Sequence, residues 1–494
     1  MPTAPAASSR RGASTTVQLQ DITKATSDLI GATRLPGENA GKEATRGLVT
    51  LIDDIVKASA TSSKFSVETI DQMIADIDRK LSLQVDEILH DKEFQAVESA
   101  WRGLKFLVDR TDFEQNIKID LFDATRDELE ENFETAPTLR SSKLCRVVFE
   151  ENFAQYGGEP FAAILGNYNF NPSTPDMDLL RNISNVASQA HAPFIAAAGT
   201  EFFGIDSFEA LPHRNSVSTK AHEKWQSFRE SPNANYVGLT LPRFLSRQPY
   251  DPKQNRSRSF VYQEQVSDDH EKYLWSNAAF AFATRLTDSF AKYRWCPNII
   301  GPKAGGKVEN LPLHKYESLG GVETKPPTEV AISNPRELEL ANEGFIPLIH
   351  EKGTDAACFF SANSTQKPKF FGNSPEDKEA EKNFKLGTQL PYMFVVSRLS
   401  HHIHTFQVQE LGSSKSRADM ESELNKWVRQ YVSDQPIVSE ETKASRPFRN
   451  VSLKVEDVAG EPGWYKVDMR LTPHLKYMGS YFTLALVGNV EGKK

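Results

Sequence analysis

Phe161–Ala198 reads FAAILGNYNFNPSTPDMDLLRNISNVASQAHAPFIAAA, and three elements are spelled out in it. Phe161–Leu165 is a short apolar run after the turn Gly157-Gly158-Glu159-Pro160, the pattern of a buried strand. Asp178–His191 has helical spacing, and Ala192–Ala198 is again apolar and short. Strand, helix and strand in succession predict an α/β middle region.

Upstream of this unit, Asn116–Phe122 (NIKIDLF) alternates and predicts a strand with Ile117, Ile119 and Leu121 on one side. Before it, Ile70, Met73, Ile74, Ile77, Leu81, Val85, Ile88 and Leu89 form one apolar helical stripe behind an N-cap at Ser66. Phe94, Val97, Trp101, Leu104, Phe106, Leu107 and Val108 continue it in a second helix. Such stripes predict helix–helix core, with packing against a partner chain as the alternative. Gly47–Ser59 also has helical spacing, and residues 1–45, rich in Ala, Ser, Thr and Gly, read as a flexible arm.

Downstream, Leu274–Tyr293 predicts an amphipathic helix, Pro297–Pro327 is loop-dominated, and the polar stretch Lys367–Lys385 predicts a boundary. Leu390–Phe406 and Asp419–Val432 are helical, the latter with Met420, Leu424, Trp427, Val428 and Tyr431 on one face. Three alternating runs follow, Val451–Val458, Trp464–Leu471 and Tyr481–Val487, the first two joined by a hairpin turn at Ala459–Gly463. The expected fold is multidomain, α/β and α+β. It has an arm (1–45), a helical region (46–115), an α/β middle region (116–370) and a C-terminal helix-plus-antiparallel-sheet domain (376–490).

The 494 residues carry a net charge of −8, with 39% hydrophobic and 25% charged residues, so real cores form and a general nucleic-acid binder is disfavoured. Cys145, Cys296 and Cys358 are sparse and unpaired in spacing, as in a reducing compartment. Neither a signal-peptide core nor an apolar run of spanning length occurs, which predicts a cytoplasmic protein without a membrane span.

Motifs of catalysis are scarce. Gly301–Lys307 fits G-x4-G-K, but Val308 stands where a phosphate loop needs Ser or Thr, so a turn with a basic tip is the better reading. Among His401, His402 and His404, only His401 and His404 have a spacing that could share a metal, and a structural histidine patch is preferred. His90 and Glu93 share that spacing on a helix with a packing role. No G-x-S-x-G or H-E-x-x-H occurs. The expectation is a protein that is not an enzyme and has no catalytic, cofactor or metal site.

Whole phrases, in order along the chain, resemble the large subunit of the type VI secretion contractile sheath (the TssC/VipB family). They include Ile88-Leu89-His90 through Phe94-Gln95, Glu98-Ser99, and Trp101-Arg102-Gly103-Leu104. Gly157–Pro160, Ala190–Phe194, Trp225 with Phe228–Ser231, Leu239–Leu245, Pro327–Val330 and Leu390–Tyr392 follow. The chain departs from the family phrases at Pro326-Pro327-Thr328-Glu329, at Ser397–His402 and at Thr472-Pro473-His474. The departure at His402 and His404 also weakens the metal reading.

The resemblance implies a structural protein that pairs with a small sheath subunit (TssB/VipA type) and, with further copies of itself, builds a helical tube. That tube would surround an inner tube of hexamers (Hcp type) on a baseplate and be recycled by an AAA+ ATPase (ClpV type). It further implies strands shared between protomers, for which Val451, Leu453, Val455, Val467, Met469, Leu471, Phe482, Leu484 and Leu486 are the candidates. Ile70, Met73, Ile74, Ile77 and Leu81 are the candidates for small-subunit contact. Two other readings are a sheath of another phage-tail-like injector and a cytosolic α/β enzyme binding phosphate at residues 301–307.

Overall fold

The computed structural model describes residues 47, 67–252, 261–266, 269–318, 321–372, 374–409, 417–435, 439–457 and 465–474. The arm, the Gly47–Ser59 helix beyond Gly47, Ser66, the turn at 459–463 and the strand Tyr481–Val487, with Phe482, Leu484 and Leu486, lie outside them. The chain divides into two compact units, residues 1–85 with 256–262, and residues 86–255 with 263–494.

In the first unit the described chain is chiefly the start of α1 (Val67–Leu89), where Ile74 and Leu81 are exposed and Ile77 is half-buried. The side chains of Ile70 and Met73 lie outside the described residues. The helix holds itself locally, through an Arg79–Asp76 pair at 3.1 Å and a Ser82 hydroxyl donating to the Asp78 carbonyl at 2.6 Å.

The second unit opens with α2 (Lys92–Asp109), capped by the Asp91 carboxylate, which accepts from the Glu93 and Phe94 amides. α3 (Arg126–Thr135) starts in a capping box of Thr125 and Glu128. A helical run from Lys143 ends as a π-helix over Arg146–Ala154.

The core is a six-stranded sheet in the order β1-β2-β3-β9-β10-β6. β1 (Ile164–Phe170), β2 (Phe194–Ala198), β3 (Val237–Leu241) and β9 (Phe345–His350) run parallel, with Ile164 beside Phe194, Phe194 beside Val237, and Leu239 beside Phe345. α4 (Thr174–Gln189) connects β1 to β2, and α5 (Glu223–Arg229) lies between β2 and β3. The short pair β4 (Phe244–Leu245) and β5 (Trp275–Ser276) leads into α6 (Ala278–Tyr293), which packs on β1, β2 and β3. β6 (Lys307–Val308) and β10 (Ala357–Phe359) close the sheet antiparallel, β7 (His314–Ser318) and β8 (Gly321–Lys325) form a hairpin, and α7 (Asn334–Asn342) precedes β9. Every residue of β2 and β3 is buried, so both faces of the sheet are covered, as parallel sheets require.

Beyond α8 (Pro375–Gly387), the helices α9 (Leu390–Gln409), α10 (Arg417–Val428) and α11 (Glu440–Ser445) precede the hairpin β11 (Phe448–Asp457) and β12 (Tyr465–Pro473). They enclose a second core of Trp295, Val395, Leu399, Ile403, Leu424, Val428, Phe448, Leu453 and Val455. The fold is therefore mixed α/β and α+β.

Some expectations shift. Residues 116–122 form no strand: Asn116 is left-handed (φ 59°) after a 3-10 turn, and the segment pairs with no strand among the described residues. Its alternation half-buries Ile117 and Ile119, the latter against the main core, while Leu121 stays exposed. The first strand of the middle region begins at Ile164, later than expected, and Pro297–Pro327 contains three short strands.

Candidate assembly surfaces

α2 has two apolar faces with different fates. Its inner face is fixed to the middle of the chain. Gly103 lies so close to Phe280 on α6 that a Cβ there would stand 2.5 Å from Cδ2 of the ring. Ser99 donates to the Trp275 carbonyl at 2.8 Å, Gln95 to the Glu271 carbonyl at 3.1 Å, and Leu107 is buried. The outer face carries Phe94, Val97, Trp101 and Val108, and Val97 and Trp101 are 58% and 65% exposed. Core packing therefore accounts for Leu104, Phe106 and Leu107, which join the main core, and leaves Trp101 without an internal role.

Charged residues brought together from distant parts of the sequence lock this arrangement. Glu98 accepts from Arg102 at 2.7 Å and from Arg247 at 2.9 Å, and Arg247 also grips Glu264 at 2.6 Å, where His90 Nε2 stands at 3.2 Å. Burial works against the Arg247 charge, but Glu264 and Glu98 outweigh it and its pKa is raised. A second cluster joins Arg243 to Glu329 at 2.6 Å and Glu271 at 3.0 Å, with Lys325, His270 and Glu209 beside it. Burial opposes ionisation of Glu329, yet Arg243 and the nearby His270 hold its carboxyl below the usual range. Arg229 is clamped by the carbonyls of Thr365 and Asn342 and by Glu343. Breaking such pairs one-sidedly leaves an uncompensated buried charge, at a cost of about 3–5 kcal/mol. Apart from Glu98 and Arg102, four apart on α2, these partners are separated in the chain and no sequence pattern signals them.

The C-terminal hairpin is the second surface. Val451, Leu453 and Val455 stand opposite Leu471, Met469 and Val467, and all six side chains lie in or against the second core. The structure thus brings together the six described strand candidates on one apolar face.

The loop Gly301–Lys307 is a turn that enters β6. Lys307 is held by Glu309 at 3.2 Å and Glu351 at 3.1 Å, and no helix N-terminus follows to receive phosphate. His401 is buried, donating from Nε2 to the Ala190 carbonyl at 2.9 Å, and His404 stacks on Phe153. His270, Glu271 and Glu329 have ligand atoms close enough for one ion, but both carboxylates already bind Arg243. An ion would have to displace that cation.

Several quoted phrases meet in space. Arg243 of Leu239–Leu245 touches Glu329 of Pro327–Val330, and Ala190 of Ala190–Phe194 receives His401 of Ser397–His402. Residues 71–366 match the family described as EvpB/VC_A0108, tail sheath N-terminal domain, and residues 379–490 match the EvpB/VC_A0108 tail sheath gpW/gp25-like domain. This chain belongs to the VipB tail sheath family. It is 36% identical over 469 residues, 93% of either chain, to the type VI secretion system sheath protein TssC1 of Pseudomonas aeruginosa. VipB-type sheath proteins are structural. No helix among the described residues of this member is long and apolar enough to cross a membrane.

Proposed function

We propose that this chain is the large subunit of a type VI secretion contractile sheath, pairing with a small TssB/VipA-type subunit and polymerising with its own copies around an inner tube. The observation that carries the reading is identity with TssC1 spread over 93% of both chains. Two structural features support it. The outer face of α2 exposes Phe94, Val97 and Trp101, and α1 exposes Ile74 and Leu81, apolar area of the kind a permanent partner covers. We assign these, with Ile70, Met73 and Ile77, to small-subunit contact. The C-terminal hairpin has only two strands among the described residues and suits strand addition, with Tyr481–Val487 of a neighbouring copy as the added strand.

In this reading residues 1–45 are an arm, 46–115 the small-subunit region, 116–370 the α/β middle and 376–490 the inner domain. The inner-tube hexamer, the baseplate and a ClpV-type ATPase are the further partners, in the cytoplasm, and no nucleic acid is involved. The work comes from the difference between two packings of the same subunits, so the chain needs no active site. Co-expression with the small subunit, followed by negative-stain microscopy, should give hollow cogged tubes. Absence of any polymer with that subunit, together with turnover of a small molecule, would overturn the reading.

A further inference from the structure

An exposed tryptophan on a helix that packs against an apolar core gains free energy by turning inward. Counting about 100° per residue, Ser99, Gly103 and Leu107 lie on one side of α2, and Phe94, Val97, Trp101 and Val108 on the opposite side. Glu98 falls on the seam between the two. A roll of the helix that carries Val97 or Trp101 towards the core therefore takes Glu98 out of its present contacts. What resists that roll decides whether the outer face is presented at all.

Two arginines meet on Glu98 Oε1, and they differ in what they can hold. Arg102, at 2.7 Å, lies four residues on in the same helix and turns with it. Arg247, at 2.9 Å, comes from the segment after β4 and ties the helix to the body. Arg247 is itself fixed. Its Nη1 and Nη2 donate to Glu264 at 2.6 and 3.1 Å, and its guanidinium lies 4.7 Å from the centre of the Tyr250 ring. The Tyr250 N–H donates to the same Glu264 carboxylate at 2.9 Å, and Arg247 and Glu264 are both buried. Glu98 Oε2 is buried without a partner among the described residues, so no other group of the body holds this carboxylate once Arg247 is lost. The remaining ties are weaker or more distant. Ser99 and Gln95 make neutral hydrogen bonds to carbonyls, about half as strong as one between two ions. Gly103 has no side chain to interlock, and Arg110 grips the Glu309 and Asn310 carbonyls from beyond the last turn.

We propose that Arg247 and Glu264 are positioning residues for the small-subunit contact: by holding Glu98 they fix the rotation of α2 that keeps Val97 and Trp101 outward, without touching the partner themselves. This rests on the small-subunit reading of that face above and adds residues that lie outside the face. The buried charges and the hydrophobic effect act on the same helix in opposite senses, and the charges prevail while Arg247 is in place.

Release of a labelled small subunit from the co-purified heterodimer, chased with unlabelled small subunit in excess, tests this. Trp101→Ala should speed release at least about tenfold. Arg247→Met, which removes the charge and keeps much of the bulk, should also speed it about tenfold, yet add no more than about threefold in a chain that already carries Trp101→Ala. Glu98→Gln should act in the same sense with the same non-additivity, and it decides the matter if the Met variant does not fold. Arg229→Met is the control, because it breaks a buried clamp whose partners all lie outside α2. It should lower the melting temperature of the heterodimer and leave release within about twofold of the unaltered rate. Effects of Arg247→Met and Trp101→Ala that multiply to about a hundredfold overturn the proposal, since the two residues then act independently. So does release at the unaltered rate in Arg247→Met, or equally fast release in Arg229→Met, which would reduce the effect to a general loss of stability. If Trp101→Ala alone leaves the rate unchanged, the small-subunit contact at α2 is refuted instead.

Discussion

His401 shows how a buried titratable side chain couples this fold to pH. Its Nε2 proton is fixed on the Ala190 carbonyl, and Nδ1 has no partner among the described residues, so a second proton has nowhere to bond. Burial, with Arg398, His191 and His402 near and only the Ala190 carbonyl opposing, lowers its pKa to about 4. Above the ordinary value near 6.5 the ring is neutral in folded and unfolded chains alike, and stability is unaffected. As pH falls from there to about 4, only the unfolded chain takes up the proton, and the folded state loses on the order of 1–3 kcal/mol. His401→Gln keeps a donor for Ala190 without the titration. Its urea midpoint should therefore fall less between pH 7 and pH 5 than that of the unaltered chain. Equal slopes would show that His401 does not carry this dependence.

At the scale of elements, α2 is the informative case. Gly103 is a poor helix former, and Ala there would gain about 1 kcal/mol from propensity alone. The added Cβ would instead meet the buried Phe280 ring at 2.5 Å, where the core cannot give way cheaply. Overpacking of about 1–3 kcal/mol should win. Gly103→Ala is expected to lower the apparent melting temperature of the heterodimer, and Phe280→Leu in the same chain to recover part of the loss. Trp101→Asp addresses the other face. It should change the melting of the large subunit little and reduce capture of a tagged small subunit at least about tenfold, since interface tryptophans commonly contribute 2 kcal/mol or more. The helical period of α1 and α2 was legible in the sequence, and so was the antiparallel pair β11–β12, because one-sided burial leaves a periodic trace. β3 and β9 were not: buried on both faces, VGLTL and FIPLIH carry no alternation to read. Asn116–Phe122 misled for the opposite reason, since alternation reports sidedness and not the presence of a strand alongside. The clusters around Arg243 and Arg247 were invisible because they join residues that only the fold brings together.

At the scale of the whole molecule, the question is where stability ends and assembly begins. The second core is assembled from α9, α10 and the hairpin, and the hairpin is anchored at its end by the Tyr392 hydroxyl, which donates to the His474 carbonyl at 2.8 Å. A chain ending after His474 keeps Val451, Leu453, Val455, Val467, Met469 and Leu471. It loses Phe482, Leu484 and Leu486, the residues proposed to cross to a neighbour. Such a truncation should still fold and co-purify with the small subunit, because neither the α2 face nor the second core is touched. It should fail to form tubes, because each subunit would then offer an acceptor edge without a strand to donate. Size-exclusion chromatography reads the first expectation and negative-stain microscopy the second. Adding the full-length chain in increasing proportion should restore tubes only gradually, since every truncated copy interrupts the exchange at one position. If the truncated heterodimer built tubes as long as those of the full chain, the joining of neighbours would have to be placed elsewhere on the molecule.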